Sequence, residues 1–321
     1  MILAGDIGGT KTVIAWYDDD RIERRRKVYE SRSFPGLEAI LFDFLEKAPT
    51  PDAAGFGIAG PVRHGMCDAT NLPWSVSEAS IADVCGTDRV RLVNDLVATA
   101  HGLLSLPPDA FVELNPARPA RDPDGPIAVL AAGTGLGEAI VCRAGGHVTA
   151  LPTEGGHTDF APRDARDDRL LAHLRTLYPE HVSNERVISG LGIPLLYDFL
   201  KAESTFAENA ELAAALADGE GAAAIGRHAL AGDPLARATI DWFCSLYGAE
   251  AGNLALKTLA TGGVILGGGI APKLLPILRS GGFWEAFTAK GRFRDLLAGL
   301  SVRVCLEQDA ALRGAAAIAT H

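Results

Sequence analysis

Cysteine is scarce in this sequence, and scattered. The five residues, Cys67, Cys85, Cys142, Cys244 and Cys305, form no CxxC pair and leave an odd one over. That pattern argues against a disulfide framework or a cysteine zinc site, and points to free thiols in a reducing cytoplasm. Basic charge is short too, with 30 Lys and Arg against 40 Asp and Glu and a net charge of -10. Contacts to nucleic-acid phosphates need clustered Lys and Arg, so no nucleic-acid partner is expected. The one basic cluster, RIERRRK from Arg21 to Lys27, carries Glu23 within it and reads as a solvated edge strand. Long apolar runs are missing as well. None approaches the ~20 residues that a membrane helix requires, and Asp6 interrupts the first apolar run early, which does not suit a secretory leader. What remains is a cytoplasmic protein with small-molecule partners.

The chain has 321 residues, 48% hydrophobic and 22% charged. That is the make-up of an ordinary globular protein, long enough for two domains or one large one. Ile2 to Ile7 and Val13 to Tyr17 read as strands joined by a glycine turn, with Asp18 to Asp20 ending the second. GLEAILFDFLEKA places Leu37, Ile40, Leu41, Phe44 and Leu45 at helical spacing. SVSEASIADVCG reads as a short helix stopped by Gly86. SLPPDAFVELNP, from Ser105 to Pro116, is the best candidate linker or crossover. From Asp164 to Thr261 the chain reads as mostly helical, with one long buried helix from Asp233 to Ala260. A last strand is expected near Val302 to Leu306, and the Ala-rich closing stretch DAALRGAAAIA is a helix that could return to the first domain. ILAGDIGGTKTVIAWY near the start and PIAVLAAGTGLGEAIVCR in the middle repeat one design of apolar strand, Gly/Thr turn and apolar strand. Such repetition suggests two related halves.

Three glycine patches and two polar clusters carry the chemistry. GDIGGTKT (Gly5 to Thr12) could be a plain hairpin in which Gly8 and Gly9 supply positive φ, and AAGTGLG (Ala131 to Gly137) a plain turn. Neither is a Walker A loop nor a dinucleotide fingerprint. Two Gly/Thr hairpins in one chain suit a different purpose, because their backbone N–H groups can cradle phosphate oxygens. Asp6 could then hold magnesium through water. GGVILGGGI (Gly262 to Ile270) offers a surface for a flat base. RVRLVNDLVATA sets Asn94 and Asp95 between a buried strand and a helix, where polar groups must be hydrogen-bonded or suffer a large cost. TEGGHTDFAP holds Glu154, His157 and Asp159; a polar turn in which His157 bonds the backbone is the plain reading, sugar-hydroxyl recognition the functional one. Glu185, after Ser183 as expected N-cap, has a plain role in favouring a helix dipole.

In their order and approximate spacing, GDIGGTKT, LVNDLVATAHGL, AAGTGLGEAIV, TEGGHTDFAP, NERVISGLG and GGVILGGGI resemble the bacterial glucokinases, members of the actin-like, sugar kinase and Hsp70 superfamily. The resemblance runs from Gly5 to about Gly314. It implies a two-domain α/β actin-like ATPase (ribonuclease H-like) fold with a ligand cleft between domains. The small domain would take residues 1–106 plus a C-terminal helix at about 306–321, and the large one residues 107–305. It implies ATP with magnesium, phosphorylation of D-glucose at its 6-hydroxyl, and a homodimer. It makes Asp95 the catalytic base, and Asn94, Asp95, Glu154, His157 and Glu185 the sugar site. Gly5, Asp6, Ile7, Gly8, Gly9, Thr10, Lys11, Gly133, Thr134, Gly135 and Gly268 would bind the nucleotide, with magnesium on Asp6 through water. DIGGTK and NLPW (Asn71 to Trp74) lean toward the related ROK sugar kinases and repressors, whose Cys-rich zinc motif is missing. A kinase for another hexose or an N-acetylhexosamine is thus the main rival. A ROK-type sugar sensor would need a helix-turn-helix ahead of the first strand, which begins at Ile2. An Hsp70-like ATPase would not need the Glu154, His157 and Glu185 set.

Overall fold

The computed structural model describes residues 1–46, 48–69, 71–144 and 147–320. Lys47, within the stretch read as the first helix, and His321, at the end of the expected small domain, lie outside them. The chain divides into two compact units. The first takes Met1–Ala110, Ala150–Pro152 and the C-terminal stretch from Glu307; the second takes Phe111–Thr149 and Thr153–Leu306.

In the first unit the strands are β1 (Ile2–Ile7), β2 (Lys11–Tyr17), β3 (Glu23–Glu30), β4 (Ala53–Ile58), a short β5–β6 pair (Met66–Asp68 and Ser75–Ser77) and β7 (Val90–Asn94). The helices are α1 (Leu37–Leu45), α2 (Glu78–Cys85) and α3 (Asp95–Ser105). The main sheet runs β3-β2-β1-β4-β7, with β1 and β2 antiparallel and β1, β4 and β7 parallel. Both faces are covered, so β1 and β2 are apolar on both sides. Leu3, Ile7, Ile14 and Trp16 join the core beneath α1 and α2, whereas Ile2, Ala4, Val13, Ala15 and Tyr17 pack with the C-terminal helix. The basic strand β3 lies at the sheet's edge with its Arg residues exposed, as expected. Gly86 takes φ 70 as the left-handed stop of α2.

The second unit holds β8 (Phe111–Glu113), β9 (Ile127–Ala132), β10 (Leu136–Ala144), β11 (His147–Thr153), β12 (Gly263–Gly267) and β13 (Val302–Cys305). Its helices are α4 (Ala165–Leu177), α5 (Gly192–Glu203), α6 (Ala210–Ala217), α7 (Gly221–Leu230), α8 (Pro234–Thr258), α9 (Leu275–Leu278), α10 (Gly282–Thr288) and α11 (Arg294–Ala298). Its sheet runs β11-β10-β9-β12-β13-β8. Without β8, this is the order of the first sheet: a hairpin, its edge strand, then two parallel strands. The repeat read from the sequence is a repeat of topology, and the architecture is the expected actin-like one. Helix α8 is buried around most of its circumference, as its length of apolar residues predicts.

Two readings of the sequence are corrected. The stretch Ser105–Pro116 does carry the chain from the first unit to the second, at Ala110–Phe111, but it is no mere linker or crossover, because Phe111–Glu113 pairs antiparallel with β13 and completes the second sheet's edge. The second strand begins at Lys11 instead of Val13, because Thr12 pairs with Ile7 and Lys11 with Glu30. Among the described residues no helix is long and apolar enough to cross a membrane.

The closing helix, α12 (Ala310–Ile318), returns to the first unit, as expected. Its Ala and Gly content has a steric cause. A Cβ on Gly314 would lie 1.6 Å from the Ala98 carbonyl oxygen, and one on Gly102 1.8 Å from that of Ala310. Helices α3 and α12 therefore cross backbone to backbone. On β4, a Cβ at Gly55 would lie 2.0 Å from the Ala315 carbonyl, so the helix also presses onto the sheet.

Candidate active site

In the first unit the polar residues gather at one end of the sheet. Ile7, Ile58 and Asn94 stand in one row across three parallel strands, so the Gly8 turn and Asp95 leave the sheet at its C-terminal edge. Open α/β sheets bind ligands there. Asn94 is buried at the N-cap of α3: its Oδ1 accepts from the N–H of Leu96 at 2.9 Å and of Val97 at 3.4 Å. Its Nδ2 donates to the Gly60 carbonyl at 3.2 Å. One Nδ2 proton is left over for a ligand. Asp95, half-buried, accepts at Oδ1 from the Leu96 N–H at 2.9 Å. Asn94 thus fixes the backbone that carries the carboxylate.

The hairpin Gly8–Lys11 closes with Gly8 N donating to the Lys11 carbonyl at 3.0 Å. Ser31, which the sequence did not single out, braces it. Ser31 Oγ donates to the Gly8 carbonyl at 2.7 Å, and its N–H to that of Thr10 at 3.0 Å. Thr10 and Lys11 are exposed. Gly5 and Ile7 lie inside the sheet instead, and a Cβ on Gly5 would meet the Phe56 ring at 2.3 Å. Packing accounts for that glycine. Asp6 shares the α12-facing side of the hairpin with Lys11. Burial pushes its carboxyl up to about 6, with Lys11 pulling it down and Asp309 pushing it further up.

In the second unit, Gly133–Gly135 links β9 to β10, with Gly133 N donating to the Gly135 carbonyl at 2.9 Å. Glu185 sits under this turn. Its Oε2 accepts from the Leu136 N–H at 2.9 Å, and a Cβ on Gly135 would lie 2.3 Å from that oxygen. An expected phosphate turn and an expected sugar carboxylate are thus one assembly. Ser183 occupies an N-cap position, yet its side chain makes no capping bond and the helix is a single 3₁₀ turn, Asn184–Arg186. Glu185 engages β10 instead of favouring a long helix. Gly268, at φ +78, has the Ala132 carbonyl where a Cβ would stand, at 2.4 Å, so it keeps β12 against the end of β9.

Glu154 precedes the 3₁₀ turn Gly155–His157, and His157 ends it. Both are exposed, and the His157 ring makes no hydrogen bond among the described residues. The plain reading of a ring bonded to the backbone does not hold. Thr158 Oγ1 donates to the Gly155 carbonyl at 2.7 Å, and Asn184 Nδ2 donates to Thr158 Oγ1 at 3.1 Å. The turns bearing His157 and Glu185 are therefore stitched together.

Comparison with known proteins gives this geometry a family. The glucokinase family model matches residues 3–321. The chain belongs to the glucokinase family. It is 38% identical to the glucokinase of Nostoc punctiforme over 340 residues, covering 100% of this chain and 99% of that one. The crystal structure of a glucokinase from an Antarctic psychrotroph superposes with a TM-score of 0.79 at 30% identity, covering 99% and 98% of the two chains. A ROK family glucokinase from Streptomyces griseus, solved in complex with glucose and AMPPNP, shares the fold at 21% identity and a TM-score of 0.70, with 99% of each chain covered. The family spans both units, so its residues fall in each half of the repeat.

Proposed function

We infer that this protein transfers the γ-phosphoryl group of ATP to the 6-hydroxyl of D-glucose, giving glucose 6-phosphate and ADP. The observation that carries this reading is the full-length family match, supported by the site geometry in each unit. Phosphoryl transfer asks little covalent chemistry of the protein; positioning and charge neutralisation do most of the work. Asp95, at the first position of α3, takes the proton of the attacking hydroxyl. Asn94 offers its remaining N–H to a neighbouring hydroxyl. Glu154 and Glu185 accept from sugar hydroxyls, and His157 donates or accepts one.

The exposed turn Gly8–Lys11 and the turn Gly133–Gly135 offer N–H groups to phosphate oxygens, and Lys11 adds a positive charge. Magnesium, when bound, neutralises charge on the phosphates. The residues present fit it. Among the described residues no cluster of three or more His, Cys, Asp or Glu could hold a metal ion, and magnesium bound with phosphate needs only one or two carboxylates, its other positions being water and phosphate oxygen. Asp6, its pKa raised by burial, would be held ionised beside such a cation. We place this chemistry in the cytoplasm, where scattered thiols stay reduced, and in the homodimer that the family implies.

The test is steady-state ADP formation over a panel of hexoses, N-acetylhexosamines and singly deoxygenated glucoses. Glucose should give the highest kcat/KM. At least one deoxy analogue should lose on the order of 2 kcal/mol of transition-state binding, the cost of one buried group left unpaired. An N-acetylhexosamine that outperforms glucose overturns the substrate assignment.

A further inference from the structure

Beneath the two turns that bear Glu154, His157 and Glu185 lie two carboxylates in the protein interior. Glu138 on β10 is 1% exposed and Glu250 on α8 is 3% exposed. Glu138 supports the first turn in two ways. Its Oε2 lies 2.0 Å from where a Cβ on Gly155 would stand, so the Gly155 α-carbon rests on the carboxyl. Its carbonyl oxygen accepts from Thr153 Oγ1 at 3.1 Å, and that hydroxyl oxygen accepts from the Gly155 N–H at 3.1 Å. Glu250 supports the second turn. Its Oε2 accepts from Asn184 Nδ2 at 3.1 Å and from Asn253 Nδ2 at 2.9 Å, while Lys290 Nζ donates to Asn253 Oδ1 at 2.6 Å.

Each carboxyl keeps one buried oxygen, Oε1, without a hydrogen-bond partner among the described residues. Lys257 Nζ stands 3.8 Å from Glu250 Oε1 and is itself largely exposed. Burial disfavours the ionised form of a carboxyl, and a second acidic group within reach disfavours it further, so the Glu138 carboxyl holds its proton above the usual carboxylate range. We propose that Glu138 is a positioning residue for sugar binding: its carboxyl, packed under Gly155, seats the turns that present Glu154, His157 and Glu185. Losing that proton puts a negative charge under Gly155 with no hydrogen-bond partner at Oε1 among the described residues, and loosens the seat. The inference rests on the reading that these turns bind the sugar.

Burial, reinforced by Glu250 and opposed by Lys257, pushes Glu138 up to about 8. The other titratable groups around it are few. Tyr247 on α8 is itself pushed upward by burial, and Lys290 is held below the usual ammonium range by burial. The turns bring Glu154, His157, Glu185 and Arg186, while β9 carries no ionisable side chain.

The experiment measures KM for glucose and kcat, at saturating ATP, across the pH range about the Glu138 pKa. In the wild type KM should climb above about pH 8 and stand roughly tenfold higher one unit beyond, the ratio of ionised to protonated carboxyl there, with kcat much flatter. Glu138→Gln keeps the size and cannot ionise, so its KM should stay level. A wild-type KM that does not climb, or a climb retained in Glu138→Gln, overturns the inference. Should that variant fail to fold, calorimetry on the wild type decides. Glucose binding near pH 8, in buffers of different ionisation enthalpy, should take up roughly half a proton; no uptake overturns the inference. Glu185→Gln separates the two claims. Unchanged glucose affinity in that variant removes the sugar reading and this inference with it. Lost affinity there with a level wild-type profile removes this inference alone.

Discussion

Asp95 and Asn94 are adjacent in sequence and divide the work. Asn94 spends its carbonyl oxygen on two helix N–H groups and one amide proton on Gly60, so it holds the start of α3 in place. The sequence showed that two polar residues sat where a strand meets a helix. That spacing could not reveal that one of them caps the helix, since an Asn can cap or bind and only its surroundings choose. Asp95→Asn should leave glucose binding by calorimetry close to wild type and lower kcat by about 100- to 10,000-fold, the usual worth of a general base. Near-normal turnover in that variant would remove Asp95 from the reaction. Glu138 and Glu250 left a signal that was there to read: each interrupts an apolar run, in GLGEAIV and LYGAEAGNLAL. Ser31 left none, because its bonds to Gly8 and Thr10 join positions far apart in sequence.

At the scale of elements, glycine was legible as a pattern and illegible as a role. Gly133 and Gly314 look alike in sequence, each among alanines. A Cβ on Gly133 would meet nothing within 4 Å, whereas one on Gly314 would run into the Ala98 carbonyl at 1.6 Å. Backbone cannot yield as a flexible side chain can, and overpacking of this kind costs about 1–3 kcal/mol or more. Gly314→Ala should therefore lower the midpoint of urea unfolding markedly. Gly133→Ala should leave the unfolding free energy within about 0.5 kcal/mol of wild type and instead raise KM for ATP, if the added methyl obstructs a phosphate. Equal midpoints for the two variants would count against the backbone crossing of α3 and α12. The same crossing explains why the closing helix is built from Ala and Gly. Periodicity announced a helix; only packing against Ala98, Gly102 and Gly55 required it to be thin.

For the molecule as a whole, the strongly raised carboxyls of Glu138 and Asp6 contribute a pH dependence of stability. Glu138 loses its proton near its ordinary value of 4.5 when unfolded and near about 8 when folded. Between those values the folded chain binds more protons than the unfolded one, so stability falls as pH rises through the window. Asp6 acts in the same direction between 3.8 and about 6. Unfolding by urea at a series of pH values should show this decline, with Glu138→Gln more stable than wild type at about pH 9 by as much as a few kcal/mol. A variant less stable than wild type at that pH would mean that the carboxylate is welcome in its pocket.

The sequence by itself determined the repeated strand–turn–strand design, the long buried helix, the helix that returns to the first unit, and the family through the order of its motifs. These are local or sequential properties: periodicity, turn residues and spacing are written along the chain. The tertiary structure decided which residue of a polar pair caps a helix, that Gly5 is there for Phe56, that Phe111–Glu113 completes a sheet, and that Glu185 lies under Gly135. It also decided that Glu138 and Glu250, 112 positions apart by their numbers, lie buried under neighbouring turns. Each of those facts depends on a neighbour supplied by a distant part of the chain, and burial, charge coupling and steric contact act through space, which a one-dimensional pattern does not contain.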